Sequence, residues 1–209
     1  MTLFAAKGGG SMMVEIALEL AGAPYSIVDV PWEDTGWDSK ILKDVNPLGQ
    51  VPTLIMPDGS IMTESAAILL TLAEQYPNAK LMPASGTPER AAFLRWLAFF
   101  VSAIYPTFTY GDATARWVGE GEKAGSGKAL RHATDDHRKM LLRYLEGQVR
   151  PDPWFLGKHF SALDLYMLMF SHWRPGRDWF KSEVPGLLRA ALAAEEMPVV
   201  KKVRDRNGI

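Results

Sequence analysis

Hydrophobic and polar residues follow two different spacings near the N-terminus. The apolar segment Thr2–Ala5 and the alternating, β-branched segment Tyr25–Val30 predict two strands. Between them, apolar residues recur at i, i+3, i+4 and i+7 from Val14 to Ala21, which predicts one buried face of a helix. Gly22 ends this helix, because glycine is favoured just after a helix C-terminus.

A hairpin and another helix follow in the pattern. Val51–Met56 and Ser60–Met62 predict a third and a fourth strand joined by a tight turn. Apolar residues at 41–45 predict a short helix before them, and the stripe from Ala66 to Ala73 predicts a longer helix that ends near Pro77. The resulting order, βαβαββα, predicts a thioredoxin-like domain whose sheet combines a parallel unit with an antiparallel hairpin.

Strand patterns stop at Glu89, and the remaining chain has helical spacing. The predicted helices are a long one from Glu89 towards Tyr105-Pro106, one over about Ala129–Gly147, one that begins at Ser161, and two shorter ones around Glu183–Ala194 and Pro198–Asp205. We therefore predict an α/β domain over residues 1–77, a linker over 78–88 and an all-helical domain over 89–209.

Composition narrows the possible chemistry. The 209 residues include no cysteine, which excludes disulfides, thiolate metal sites and cysteine nucleophiles. A net charge of −1 argues against a nucleic-acid-binding surface, which is usually basic. The four histidines lack metal-like spacing, so we predict no metal. The N-terminus lacks signal-peptide features, and no apolar run is expected to reach the roughly 18 residues of a membrane span, so we expect a cytoplasmic protein.

The segment from Asn46 to Leu54 carries the most specific motif. A turn cluster leads into Val51-Pro52 directly before a strand, where an X-Pro bond is a candidate for the cis form. The main-chain N–H and C=O of Val51 are then available to pair with an extended peptide. Glu64-Ser65 opens the next helix, where free amides and the positive dipole end favour a carboxylate.

This combination resembles the glutathione transferase superfamily over nearly the whole chain. The resemblance implies a thioredoxin-like domain that binds glutathione, followed by a helical domain. It implies that Val51 and the cis Pro52 pair with the cysteinyl residue of glutathione. It also implies that Ser65 binds the γ-glutamyl carboxylate and Glu64 the γ-glutamyl ammonium, with Gln50 as a further contact. Helix capping by Thr63 or Ser65 is the structural alternative.

Ser11 is the candidate for stabilising the glutathione thiolate, as in serine-type members of that superfamily. It stands between the first strand and the first helix, and its alternative role is to cap that helix. The tyrosine-type residue is absent, because Ala5, Ala6 and Lys7 occupy its stretch, and Gly10 replaces the cysteine of the beta-type pattern. If Ser11 is not the donor, the amides of Ser11 and Met12 are the alternative.

The acceptor substrate is expected to lie against the helical domain. Aromatic side chains with a few polar groups suit a planar electrophile, although aromatics at helical spacing also build cores. The candidates for this pocket are Tyr105, Phe108, Tyr110 and Arg116. Ser161 and Asp164 match a capping box, which we assign to the stability of the helical domain.

The predicted function is therefore a detoxification-type glutathione transferase that attacks an electrophilic small molecule. The resemblance also implies a homodimer. Two alternatives stay open: a non-enzymatic interaction module with the same fold, and a glutathione-dependent isomerase, dehalogenase or ether-cleaving enzyme.

Overall fold

A computed structural model describes residues 1–36, 38–119 and 125–209. It contains a four-stranded sheet in the order β2-β1-β3-β4. The strands are β1 (Thr2–Ala5), β2 (Ser26–Asp29), β3 (Thr53–Ile55) and β4 (Ile61–Met62). β1 pairs parallel with β2, placing Leu3 opposite Ile27, and antiparallel with β3, placing Leu3 opposite Leu54. β3 and β4 form the predicted antiparallel hairpin.

Helices cover one face of the sheet and form the second half of the chain. They are α1 (Ser11–Ala21), α2 (Ser65–Gln75), α3 (Pro88–Phe99), α4 (Tyr105–Asp112), α5 (Ser126–Gln148), α6 (Ala162–His172), α7 (Arg177–Glu183), α8 (Pro185–Glu195) and α9 (Pro198–Asn207). α1 packs against α2, α6 and α9, and every residue of α6 from Ala162 to Ser171 is buried. One apolar core therefore runs through both halves, which confirms the predicted fold class.

The short helix predicted at 41–45 is wrong, because residues 40–45 form consecutive turns. The Asp34 carboxylate accepts hydrogen bonds from the amides of Lys40 and Ile41, at 3.1 and 3.0 Å. The Ser39 hydroxyl accepts one from the amide of Leu42 at 2.9 Å. The carbonyl of Leu42 accepts the amides of Val45 and Asn46 at 2.9 and 2.7 Å, and the turns stop there because Pro47 lacks an N–H and disfavours helical backbone at the residue before it.

The long helix does not end at Tyr105-Pro106 as predicted. A π-helical turn at Phe100–Ile104 joins α3 to α4, and the helical path continues to Asp112. Proline lacks an N–H and its ring crowds the carbonyl of residue i−4. The wider π turn directly before Pro106 gives the ring that space, so the helix bypasses a residue that normally stops it.

The helical stretch Pro88–Asp112 also corrects the expectation about apolar runs. This stretch of 25 residues is long and apolar enough to cross a membrane by length and composition alone. Core helices of globular proteins pass the same test, and Phe93, Trp96 and Phe100 lie in the core here.

Candidate functional site

The corner before β3 leaves main-chain groups unpaired. The Val51–Pro52 peptide bond is cis, Pro52 is buried, and Val51 is partly exposed. Within the described ranges, the N–H and C=O of Val51 make no hydrogen bond. Unpaired main-chain groups beside a strand can accept an extended peptide as an added strand.

Asn46 supports this corner from behind. It is 5% exposed, and its side-chain amide donates to the carbonyl of Gln50 and to the hydroxyl of Thr53, both at 3.0 Å. The Gln50 side chain itself is exposed beside Val51. The sequence pattern predicts Asn46 only as part of a turn. Its tertiary role is to fix the backbone that flanks the candidate binding edge.

A second support joins the corner to the preceding loop. The amide of Gly36 donates to the carbonyl of Gly49 at 2.7 Å. Gly49 has φ of +62°, and a Cβ there would lie 2.7 Å from the nitrogen of Gly36 and nearer still to its carbonyl group. Only glycine therefore fits at residue 49.

Glu64 occupies an unusual backbone conformation at the start of α2. Its φ is +62° and its ψ is 103°, which few non-glycine residues adopt. Its side chain is exposed, while its carbonyl accepts the amide of Ile68. Strained residues of this kind concentrate at functional sites, where the conformation aims a side chain.

The start of α2 has no side-chain cap. Glu64 is the residue at the N-cap position and makes no capping hydrogen bond, so the predicted capping by Thr63 or Ser65 is not formed. The Ser65 hydroxyl instead lies 2.9 Å from the hydroxyl of Tyr166 on α6. The first amides of α2 thus remain available to an anion, next to Glu64 and Ser65.

Ser11 does not face this site. It is fully buried, its hydroxyl donates to the carbonyl of Ala6, and it accepts the amide of Ala6, both at 3.1 Å. Gly10, not Ser11, is the N-cap residue of α1, so the predicted capping role of Ser11 is wrong. The hydroxyl closes the loop between β1 and α1. Its contact with a thiolate stays a prediction.

Met12 is likewise fully buried, and its amide donates to the carbonyl of Gly9 at 3.1 Å. β3 and β4 pair antiparallel with Leu54 opposite Met62, so Gln50-Val51-Pro52 before β3 and Glu64-Ser65 after β4 lie at the same end of this hairpin. Ser11 and Met12 are both fully buried.

The predicted acceptor residues separate into three environments. Tyr105 lies partly exposed against Gly10 at the start of α1. Phe108 is 5% exposed and stacks on Phe170, with the Arg138 guanidinium 4.0 Å from its ring centre, so it belongs to the core. The alternative that these aromatics build the core holds for Phe108.

Tyr110 and Arg116 lie nearer the surface. Tyr110 is 41% exposed, packs edge-on against Trp117, and lines a groove between α4 and α5 that also includes Thr134 and His137. Arg116 donates to the carbonyl of Thr35 at 3.0 Å and so joins the helical half to the loop that holds Gly36. Their contact with an acceptor stays a prediction. Among the described residues, no group of three or more His, Asp or Glu side chains is arranged to hold a metal.

His172, at the end of α6, has a pKa that the fold changes without any contact with this site. Burial lowers the pKa of His172 to about 4, and the Arg177 guanidinium acts in the same direction. Nη2 of Arg177 lies 2.9 Å from Nε2 of His172, so the neutral ring accepts this hydrogen bond. Glu195, whose Oε1 lies 3.6 Å from the ring, only partly opposes these effects.

We expect the free energy of unfolding to fall by about 3 kcal/mol as the pH decreases from 6.5 to about 4 because of His172. In that window the unfolded chain binds a proton that the folded chain excludes, so acidification favours unfolding. Urea unfolding at several pH values, compared between the wild type and His172→Gln, measures this contribution. Glutamine keeps an acceptor for Arg177 but does not titrate. Identical pH dependence in the two proteins would contradict the assignment.

Comparison with known proteins places these features in a family. The family model for the N-terminal domain of glutathione S-transferases matches residues 11–75. The GST-like protein YncG of Escherichia coli K12, itself uncharacterised, is 34% identical over 99% of this chain and 98% of its own length. GstA of E. coli O157:H7 is 24% identical over 98% of this chain and 96% of its own.

Solved structures agree over the full length. A sphingomonad glutathione S-transferase complexed with glutathione superposes with a TM-score of 0.80 at 26% identity, covering 100% of both chains. BphK, a bacterial glutathione S-transferase solved as a ternary complex, gives a TM-score of 0.79 at 25% identity, again over 100% of both chains.

Proposed function

The chain belongs to the glutathione S-transferase family, and we propose that it binds glutathione and transfers it to an electrophilic small molecule. In this proposal the N–H and C=O of Val51 pair with the cysteinyl residue. Ser65 and the free amides of α2 bind the γ-glutamyl carboxylate, and Glu64 binds the γ-glutamyl ammonium group. Gln50 contacts the peptide backbone beside them.

The observation that carries the proposal is that three groups free to bind a ligand lie at the same end of the β3–β4 hairpin. They are the unpaired main chain of Val51, the uncapped amides of α2 and the exposed carboxylate of Glu64. A peptide of three residues with a charged end has complementary groups for all three. An interaction module that had lost its ligand would have no need for the strained backbone at Glu64, which favours the enzyme over that alternative.

The reaction follows from the properties of the thiol. A free thiol has a pKa of about 8.5, and hydrogen bonds or a helix N-terminus lower it, which raises the thiolate fraction at neutral pH. The thiolate sulfur then supplies the electron pair for a new sulfur–carbon bond. The electrons of the broken bond leave with a displaced group, or those of a double bond move away from sulfur, and the thiol proton goes to solvent.

Calorimetric titration with glutathione tests binding, and Glu64→Gln tests the site. We expect this variant to bind glutathione about 10-fold or more weakly, because a hydrogen bond between charged groups contributes about 1.5–3 kcal/mol. The dipeptide Cys-Gly lacks the γ-glutamyl group, so its weaker affinity should be the same for wild type and variant.

Glu74→Gln is the matched control, because Glu74 is exposed near the other end of the same helix. It should bind glutathione like the wild type. A wild type that does not bind millimolar glutathione would refute the proposed function. Binding that Glu64→Gln leaves unchanged would refute the placement of the γ-glutamyl group. A panel of aryl halides, epoxides and enals then separates a transferase from a non-enzymatic module.

We also propose that the protein acts as a homodimer. Leu94 on α3 and Met140 and Tyr144 on α5 are 43%, 50% and 45% exposed. Large apolar side chains exposed on adjacent helices favour contact with another protein surface.

A further inference from the structure

Gly10, in the N-terminal half of the chain, and Tyr105, in the helical half, lie in close contact. A Cβ on residue 10 would lie 3.2 Å from Cζ of Tyr105 and closer still to its hydroxyl oxygen. Gly10 has an ordinary φ of −61°, so its backbone conformation does not require glycine. The lack of a side chain at residue 10 therefore leaves room for the phenol of Tyr105, whose oxygen lies over the N-terminus of α1.

The Tyr105 hydroxyl makes no hydrogen bond within the described part of the chain. Its ring packs edge-on against Phe108, Tyr166 and Trp173, which hold it in one orientation. A phenol in an apolar setting normally finds a polar partner for its O–H. Among the described residues this hydroxyl has no such partner, and it lies instead against Gly10 at the start of α1.

The backbone places the ring there through the π turn. Tyr105 follows Phe100–Ile104 directly, and the extra residue in that turn rotates every later side chain relative to α3. Single π turns of this kind are frequent at functional sites. Without it, Tyr105 would project from a different side of the helix.

The Tyr105 hydroxyl is in the protonation state that a hydrogen-bond donor requires. Burial raises the pKa of Tyr105 well above its ordinary value, with a smaller contribution from Tyr166. The phenol therefore keeps its proton at every physiological pH. It can donate a hydrogen bond to an anion but cannot act as a base.

We propose that Tyr105, from the helical half, is the catalytic residue that donates a hydrogen bond to the glutathione sulfur and holds it as thiolate over the start of α1. This rests on the proposed function, because it assigns a role within the same site. It differs from the Ser11 assignment, since the only proton of the Ser11 hydroxyl is already donated to Ala6. A second hydroxyl of the helical half also contacts the N-terminal half, because the buried Tyr166 hydroxyl lies 2.9 Å from that of Ser65.

The test is the pKa of the bound thiol, followed by the ultraviolet absorbance of the thiolate in wild type, Tyr105→Phe and Tyr76→Phe. Tyr105→Phe should raise that pKa by about one to two units, because a hydrogen bond to a charged group contributes about that much. Glutathione affinity should change less than about threefold. The conjugation rate should fall at least 10-fold near neutral pH and recover at alkaline pH, where the thiol ionises unaided.

Tyr76→Phe is the control, because Tyr76 follows the other end of α2, about 16 Å from Ser65 along the helix axis. It should behave like the wild type. Gly10→Ala gives a second variant, because its methyl group displaces the Tyr105 hydroxyl without straining the backbone. As a single substitution, Gly10→Ala should raise the pKa of the bound thiol. Combined with Tyr105→Phe, it should change that pKa little further.

The outcomes separate the two proposals. A wild type that fails to bind glutathione refutes the proposed function itself. If the wild type binds glutathione, an unchanged thiol pKa in Tyr105→Phe overturns the Tyr105 assignment alone. A bound thiol whose pKa in the wild type equals that of free glutathione also overturns it.

Discussion

The Gly49→Ala variant is expected to lose about 3 kcal/mol of its free energy of unfolding. The left-handed backbone at Gly49 costs alanine about 1–2 kcal/mol, and forcing a methyl group into packed atoms adds about 1–3 kcal/mol. Here those atoms are the backbone of Gly36, which cannot rotate away as a side chain can. The Gly36–Gly49 hydrogen bond must break, and the Val51–Pro52 corner moves with it.

Urea unfolding measures the loss, and Gly59→Ala is the matched control. Gly59 also has positive φ, +85°, but a Cβ there meets nothing within 4 Å. The Gly59→Ala variant should lose only about 1–2 kcal/mol, the backbone contribution alone. We expect Gly49→Ala, but not Gly59→Ala, to weaken glutathione binding as well. If the two variants lose the same free energy of unfolding, the backbone of Gly36 moves away from the new methyl group without destabilising the protein, which would contradict this prediction.

The Asp164→Ala variant is expected to lose about 4 kcal/mol. Asp164 is fully buried, and its carboxylate accepts the amides of Phe155 at 2.6 Å and Ser161 at 2.9 Å. Removing the carboxylate leaves both buried amides without an acceptor, at about 1–3 kcal/mol each, and removes half of the capping box of α6. Because α6 is buried from Ala162 to Ser171, the loss extends into the core around it.

Chemical unfolding of Asp164→Ala, Asp164→Asn and Asp178→Ala tests this role. Asparagine keeps one acceptor oxygen, so it should cost about half as much as alanine. Burial raises the pKa of Asp164 to about 7, opposed by the hydrogen bonds it accepts, so a neutral replacement of the same shape is tolerated better than a truncation. Asp178, exposed in the first turn of α7, should cost about 0.5 kcal/mol or less. An Asp164→Ala variant as stable as Asp178→Ala would rule out the capping role.

The agreement between sequence and structure is best where the signal is local. The strands at Thr2 and Thr53, the helix ended by Gly22 and the Ser161–Asp164 capping box all depend on residues within a few positions of each other. The short helix at 41–45 was wrong because the turns stop at Asn46, before Pro47, which hydrophobic spacing alone does not reveal.

In the candidate site, too, the locally encoded features could be predicted and the others could not. The main-chain groups at Val51 and the helix start at Ser65 could be predicted, because turn residues and helix openings leave a local pattern. The positive φ of Glu64 leaves no such pattern, since glutamate rarely adopts it. Ser11 has the right position along the chain, but the fold turns its hydroxyl inward to Ala6.

By itself, the sequence determined the four strands and the two helices that pack on their sheet, because hydrophobic spacing, proline and glycine act on the backbone nearest to them. Only the tertiary structure decided which hydroxyl lies over the start of α1. Gly10 and Tyr105 are far apart along the chain, and they meet because a π turn rotates one and the missing side chain of the other leaves room. Contacts of this kind depend on how two separately formed units pack, and no local pattern encodes that packing.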